Sequence, residues 1–179
     1  LAEANAKALQ TAHEEATFAW DATPISTARL HAELWAQIKD SDWSLVSESG
    51  NSSGWAFRLW NFEKHYQHLG DAGGAGVGYG APASVGGALA NRKHGRLSVA
   101  IQGDGDFMYA PGVWWTAAHH KIPLLMLISQ RGSFGEKDPW QTEGGGVTEH
   151  VLEALRIPFD RLEAPEQVVT PGEELWVKI

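Results

Sequence analysis

Leu97-Ser98-Val99-Ala100-Ile101 leads almost directly into Gly103-Asp104-Gly105-Asp106, and the next apolar run is Leu124-Leu125-Met126-Leu127-Ile128. The second run has no polar residue, the pattern of a strand buried on both faces of a sheet. Between the two runs, the stretch from about Ala110 to His120 predicts a helix that Lys121-Ile122-Pro123 ends. Toward the N-terminus, Ala83 to Asn91 predicts a helix of small residues, against which a neighbouring backbone packs closely. Before it, Trp43 to Val46 predicts a short strand, and Thr27 to Lys39 a helix capped by Ser26 or Thr27, with Leu30, Leu34, Trp35 and Ile38 as its buried stripe. Leu1 to about Thr17 is rich in helix formers. Toward the C-terminus, residues 130–146 predict a polar, Gly-rich loop, and Val147 to Arg156 a further helix. Strands and helices in alternation specify an α/β fold: a doubly wound parallel sheet with helices on both faces. Such sheets bind ligands beyond the carboxyl ends of their strands, which is where the Gly-Asp-Gly turn lies.

Composition narrows the partners. The 179 residues are 43% hydrophobic and 20% charged, values of a folded chain. Fourteen Lys and Arg against twenty-two Asp and Glu leave a net charge of −8. That balance argues against nucleic acid and against an anionic membrane, since either requires a basic face. No apolar run approaches the roughly 20 residues of a membrane span, and no secretory leader opens the sequence, so a cytoplasmic protein is expected. The abrupt start without methionine points to a fragment or a trimmed chain. With no cysteine, disulfides, thiolate metal sites and a cysteine nucleophile are excluded. Nine Trp are an excess. One of Trp114 and Trp115 is expected under the sheet and the other facing a partner, while Trp55 and Trp60 are expected to line a substrate pocket or, in preference, a subunit interface.

The turn at the strand end has specific chemistry. Gly103 and Gly105 permit a sharp turn and bring backbone N–H groups close to a ligand. Asp104 between them offers a hard oxygen. Mg²⁺ favours one or two carboxylates completed by phosphate oxygens, so the turn suits a metal-bridged diphosphate. Other constellations are weaker. Gly76-x-Gly78-x-x-Ala81 fits a dinucleotide fingerprint, but Lys64 to Asp71 is a poor preceding strand. His65 with His68, or His119 with His120, lacks a third zinc ligand at a telling spacing. Asp104 and Asp106 also fit a metal-binding Asp-x-Asp pair, although Asp106 reads better as an N-cap of the following helix. No serine lies in a nucleophile elbow.

From Leu69 to Leu125 the chain resembles the cofactor-binding (PP) domain of thiamine diphosphate enzymes, the family of acetolactate synthase and benzoylformate decarboxylase. The resemblance rests on Gly76-Val77-Gly78-Tyr79-Gly80-Ala81-Pro82-Ala83, Gly103-Asp104-Gly105-Asp106-Phe107, Pro111 to Ala118, and Ile122-Pro123-Leu124-Leu125. Pro24 to Val46 is similar to the start of that domain, so the likeness covers about 24–128. It implies thiamine diphosphate and Mg²⁺ as cofactors. Asp104 would ligate the metal, and the backbone around Gly103, Gly105 and Asp106 would meet the diphosphate. Val77 would prop the cofactor into its bent shape, and the carbonyl of Ala75 would accept from its amino group.

The sequence departs from that family at the end of the second apolar run. The family completes its metal shell with an asparagine pair, where this chain has Gln130 and Arg131. Arg131 falls on the ligating position by count from Asp104, and an arginine has no lone pair to give. Gln130 is the remaining metal-ligand candidate, through its carbonyl, if the register slips by one. From Ser129 onward the chain is similar to the later half of a pyrimidine-binding (PYR) domain, nearest to sulfopyruvate and phosphonopyruvate decarboxylases. The implied division is an N-terminal helix and linker at 1–23, a PP-like domain at 24–128 and a PYR-like tail at 129–179 completing the sheet. Nothing matches the family's activating glutamate, so catalysis would need a PYR-domain partner or a second copy of the chain, acting on a small 2-keto acid. The alternative is a non-catalytic or degenerate subunit that keeps the fold and the interface without the metal.

Overall fold

In the computed structural model, which describes residues 2–47, 54–70, 78–132, 136–168 and 176–178, the two apolar runs lie side by side within one parallel sheet. They are β2 (Leu97–Gly103) and β3 (Leu125–Ser129), paired from Val99 opposite Leu125 to Gly103 opposite Ser129. β1 (Trp43–Ser47) flanks β2. Beyond β3 come β5 (Trp176–Lys178) and then β4 (Phe159–Asp160), giving the order β1-β2-β3-β5-β4 with every pair parallel. The segment after residue 129 therefore extends the same sheet that the earlier strands begin.

Side chains alternate across the strands and build two apolar layers. Ala100, Met126 and Ile128 face one layer, with residues of α4 (Gly80–Arg92), α5 (Asp104–Tyr109), α6 (Pro111–His119) and α7 (Trp140–Ala154). Val99, Ile101, Leu125 and Leu127 face the other, with residues of α2 (Thr27–Ile38) and α3 (Trp55–Leu59). The first helix, α1 (Ala2–Ala16), reaches this second side, where Ala16 packs with Ala28 and Trp55. Ser26 caps α2, its hydroxyl accepting from the N–H of Arg29 at 3.2 Å. Leu34 and Ile38 are buried as their spacing predicts.

The aromatic excess is spent here. Trp43 is fully enclosed, edge-on to both Trp35 and Trp60 at 5.7 and 5.6 Å between centroids. Trp55 and Trp60 are not interface residues among the described contacts: both are buried, and the indole N–H of Trp60 donates to the carbonyl of His31 at 2.9 Å. A buried Trp needs such a partner, and this one lies inside the chain. Of the other pair, Trp114 is buried and Trp115 exposed, at 0% and 54%.

Three elements differ from the sequence expectations. The Gly103-to-Asp106 stretch is not a free turn, because α5 begins at Asp104 directly from β2. Asp106 thus lies inside α5 and caps nothing; the residue preceding α6 is Ala110. The expected loop over 130–146 ends early, since α7 starts at Trp140 and carries Gly144, Gly145 and Gly146 within it. A short α3 forms within 50–70, where no period was visible.

His31 in α2 sits in the aromatic layer at 1% exposure, its Nδ1 against the carbonyl of Thr27 at 2.7 Å and its Nε2 without a partner. Burial pushes this imidazole below its ordinary 6.5, outweighing the opposing effect of the Thr27 carbonyl. The unfolded chain then binds a proton that the folded chain refuses. Stability is unaffected above about pH 6.5 and falls as the pH drops below it, by at most about 1.4 kcal/mol per unit for this one group. Urea titrations between pH 8 and pH 5 are expected to show that decline, and His31→Phe to flatten it; an unchanged slope would mean that His31 is not the group.

Candidate cofactor site at the end of the second strand

Asp104 leaves the carboxyl end of β2 as the first residue of α5, and Arg131 stands just beyond the end of neighbouring β3. Their register places the two side by side. The Asp104 carboxylate is 0% exposed and fully engaged. Its Oδ1 accepts from the N–H of Gly105 at 2.7 Å and from Nε of Arg131 at 2.7 Å, with Nη2 of Arg131 at 2.6 Å. Its Oδ2 accepts from the backbone N–H of Arg131 at 2.8 Å. The Arg131 side chain is 32% exposed and lies over this carboxylate, with Nη1 donating to Oε1 of Gln141 at 2.7 Å.

Gly105 is closely approached: a Cβ there would stand 3.0 Å from Nη2, the far end of the Arg131 side chain. Neither Gly103 nor Gly105 uses the left-handed region, so the sharp turn anticipated from their freedom is not what they supply. Gly132 does use it, at φ +86°, and a Cβ there would stand only 2.7 Å from Cα of Thr142. Gly132 also donates to the Glu136 carboxylate, and the N–H groups of Asp138 and Gly132 hold that carboxyl below the usual range.

Of the sequence candidates, Gly103, Asp104, Gly105 and Asp106 form one strand-to-helix junction. Gln130 is turned elsewhere, its Nε2 donating to the carbonyl of Gly145 in α7 at 2.8 Å. Ala75 and Val77 lie outside the described residues. The exit of their glycine segment is described at Gly78, at φ +95°, where a Cβ would stand 3.3 Å from the Tyr109 side chain at the end of α5. A groove lined by Val46, Leu69, Tyr79, Pro82, Ala83 and Gly86 opens beside it. Its lining carries no charged side chain, so it suits an apolar surface. No cluster of three or more His, Asp or Glu able to hold a metal occurs among the described residues, and none of their helices is long and apolar enough to cross a membrane.

A family model described as "Thiamine pyrophosphate enzyme, C-terminal TPP binding domain" matches residues 48–165. The chain belongs to this family. The matched range lies on both sides of Ile128–Ser129 and takes in β2, α5, β3 and α7. Benzoylformate decarboxylase of Pseudomonas aeruginosa is 37% identical over 60 residues, 34% of this chain and 11% of that protein. Chloroplastic acetolactate synthase 2 of Brassica napus is 28% identical over 109 residues, 61% of this chain and 17% of that protein. The solved structure of a thiamine diphosphate-dependent 4-hydroxybenzoylformate decarboxylase of Rhodococcus jostii superposes with a TM-score of 0.71 at 21% identity, over 88% of this chain and 32% of that one. This thiamine pyrophosphate-binding domain thus spans a third or less of the proteins it matches, and the enzymes of its family use Mg²⁺ with the cofactor.

Around Asp104 itself the donor set is one for an anion. Mg²⁺ requires oxygen ligands, and here an arginine, all donors and no acceptor, occupies the carboxylate. The side chains as arranged do not fit a divalent cation at Asp104. The departure visible in the sequence at Arg131 is therefore a structural one: the arginine turns inward onto the acid.

Proposed function

We propose that this chain is the diphosphate-binding portion of a thiamine diphosphate-dependent enzyme that decarboxylates a 2-keto acid or joins the resulting fragment to a second carbonyl compound. The observation that carries the reading is the family match over 48–165, with Asp104 at the carboxyl end of a buried parallel strand. Relatives named as benzoylformate decarboxylase and acetolactate synthase support a keto acid as substrate. When bound, the cofactor supplies a carbanion-stabilising thiazolium; the protein supplies position and field. In this reading Gly103, Gly105 and Asp106 line the diphosphate end through their backbone, and Ala75 and Val77 meet the ring end. A pyrimidine-binding domain from another region or subunit completes the site, and the assembly works in the cytoplasm as a lyase or carboligase. The division into a PP-like unit at 24–128 and a PYR-like tail at 129–179 that completes the same sheet is part of this proposal.

Calorimetric titration with thiamine diphosphate and with thiamine tests it. The diphosphate form is expected to bind at least about tenfold more tightly, a difference of about 1.4 kcal/mol. Equal heats, or heat with NAD⁺ instead, would sink the reading. A second reading, a degenerate subunit that keeps the fold without the cofactor, is favoured by one observation: Asp104 already has an internal partner. It predicts no heat with either compound.

A further inference from the structure

We propose that Arg131 takes the place of the divalent cation in this chain, so that a cofactor diphosphate is held by its guanidinium without metal. The inference rests on the proposed cofactor reading and deepens it. Three observations lead to it.

The first is saturation. Both oxygens of Asp104 already accept from Gly105 and Arg131, and the carboxylate has no exposed surface. A cation entering there would have to displace a guanidinium that touches the same oxygen through Nε and Nη2, at 2.7 and 2.6 Å. The positive charge a metal would bring to this buried acid is already covalently part of the chain.

The second is the unused capacity of that guanidinium. Arginine carries five N–H donors in a planar fork, two on each terminal nitrogen. Nε is spent on Asp104, one N–H of Nη1 on Gln141, and Nη2 lies against Asp104. This leaves an N–H on each terminal nitrogen without a partner among the described residues. Asp104 is wholly enclosed while the Arg131 side chain is about one-third exposed, so the pair is open to solvent from the arginine side. A partly exposed arginine anchored by a carboxylate, with donors to spare, is suited to phosphate oxygens.

The third is that the seat is built around the arginine. Gly105 leaves room for Nη2, and Gly145 of α7 leaves room for the Arg131 carbonyl, which a Cβ would meet at 1.8 Å. Gln141 of the same helix fixes Nη1. Opposing charge is present too: Glu136 lies close enough for Arg131 to draw its carboxyl down, and Asp106 shares α5. Those acids weaken anion binding, so the expected affinity is modest, and its dependence on Arg131 correspondingly steep.

The experiment titrates the chain with thiamine diphosphate by calorimetry, once in EDTA and once in excess Mg²⁺, for the wild type, Arg131→Lys and Arg131→Asn. Circular dichroism checks that each variant is folded. The wild type is expected to bind equally, within about 2-fold, in both buffers. Arg131→Lys keeps the charge on Asp104 but loses the fork, so it is expected to bind about tenfold more weakly and still without metal. Arg131→Asn frees the carboxylate and adds an amide oxygen beside it, so its binding is expected to require Mg²⁺. Wild-type heat that appears only with Mg²⁺ would overturn the proposal and leave the cofactor reading standing. So would a wild type silent in both buffers beside an Arg131→Asn that binds with Mg²⁺, since Arg131 would then be a plug. Silence from all three proteins in both buffers would bring down the cofactor reading, and this inference with it.

Discussion

Trp114→Ala is expected to cost about 3–5 kcal/mol of folding stability, with the thermal midpoint falling by about 10 °C. Trp114 is fully buried in α6, its ring stacked on Phe107 at 5.2 Å and 11° between planes. Its indole N–H donates to the carbonyl of Phe107 at 2.8 Å, satisfying a group near the end of α5. Truncation removes the stack, opens a large cavity and orphans that carbonyl. The consequence for function follows from the length of α5, only six residues from Asp104 to Tyr109. A helix so short has no stability of its own and stands by its packing. Loosening Phe107 therefore loosens the helix that begins with the site carboxylate. Trp115→Ala, on the same helix but half exposed against His119, is expected to change stability by no more than about 0.5 kcal/mol. Denaturant titrations followed by circular dichroism, not by fluorescence, measure both. Comparable losses for the two variants would contradict the packing described for α6.

How much of this was legible beforehand depended on whether a signal was local. β2 and β3 were readable because a strand buried on both faces carries a continuous apolar run, as Val99 to Ile101 and Leu125 to Ile128 do. The site's position followed, because the carboxyl ends of such strands are where α/β sheets bind. α5 was not legible: Gly103-Asp104-Gly105-Asp106 has the composition of a turn, and six residues are too few to show a helical period. The first half of α7 was hidden by its three glycines, which propensity assigns to a loop and packing assigns to a helix. Tertiary contact decided the matter. The Trp55 and Trp60 expectation failed for a related reason, since composition cannot tell an aromatic that closes an internal layer from one that closes an interface. At the site, counting from Asp104 placed Arg131 opposite it and showed that an arginine cannot ligate. What the count could not supply was the direction of the side chain. The Asp104–Arg131 pair joins residues 27 apart in the chain, and only the register of β2 against β3 makes them neighbours.

The three consecutive glycines of α7 offer the sharpest separation of local propensity from tertiary constraint. Gly145→Ala is expected to destabilise the chain by about 3 kcal/mol or more, because its Cβ would lie 1.8 Å from the carbonyl oxygen of Arg131 and 2.7 Å from its carbonyl carbon. These are backbone atoms, which no rotamer change can move aside, so α7 or the Arg131 segment must shift bodily. Gly144→Ala and Gly146→Ala meet nothing within 4 Å. Glycine within a helix costs roughly 0.5–1 kcal/mol relative to alanine, so each of these is expected to stabilise by about that amount. One methyl group thus changes sign of effect twice in three residues, which no composition-based argument predicts. The Gly145 substitution also reaches the site by two routes. It pushes on the backbone of Arg131, whose N–H holds Oδ2 of Asp104, and on the Gly145 carbonyl that accepts from Gln130. Any thiamine diphosphate binding retained by a folded Gly145→Ala chain is therefore expected to weaken, whereas the alanines at 144 and 146 are expected to leave it unchanged. Melting curves for the three variants decide the stability claim, and equal behaviour at all three positions would mean that α7 does not pack against the end of β3 in this way.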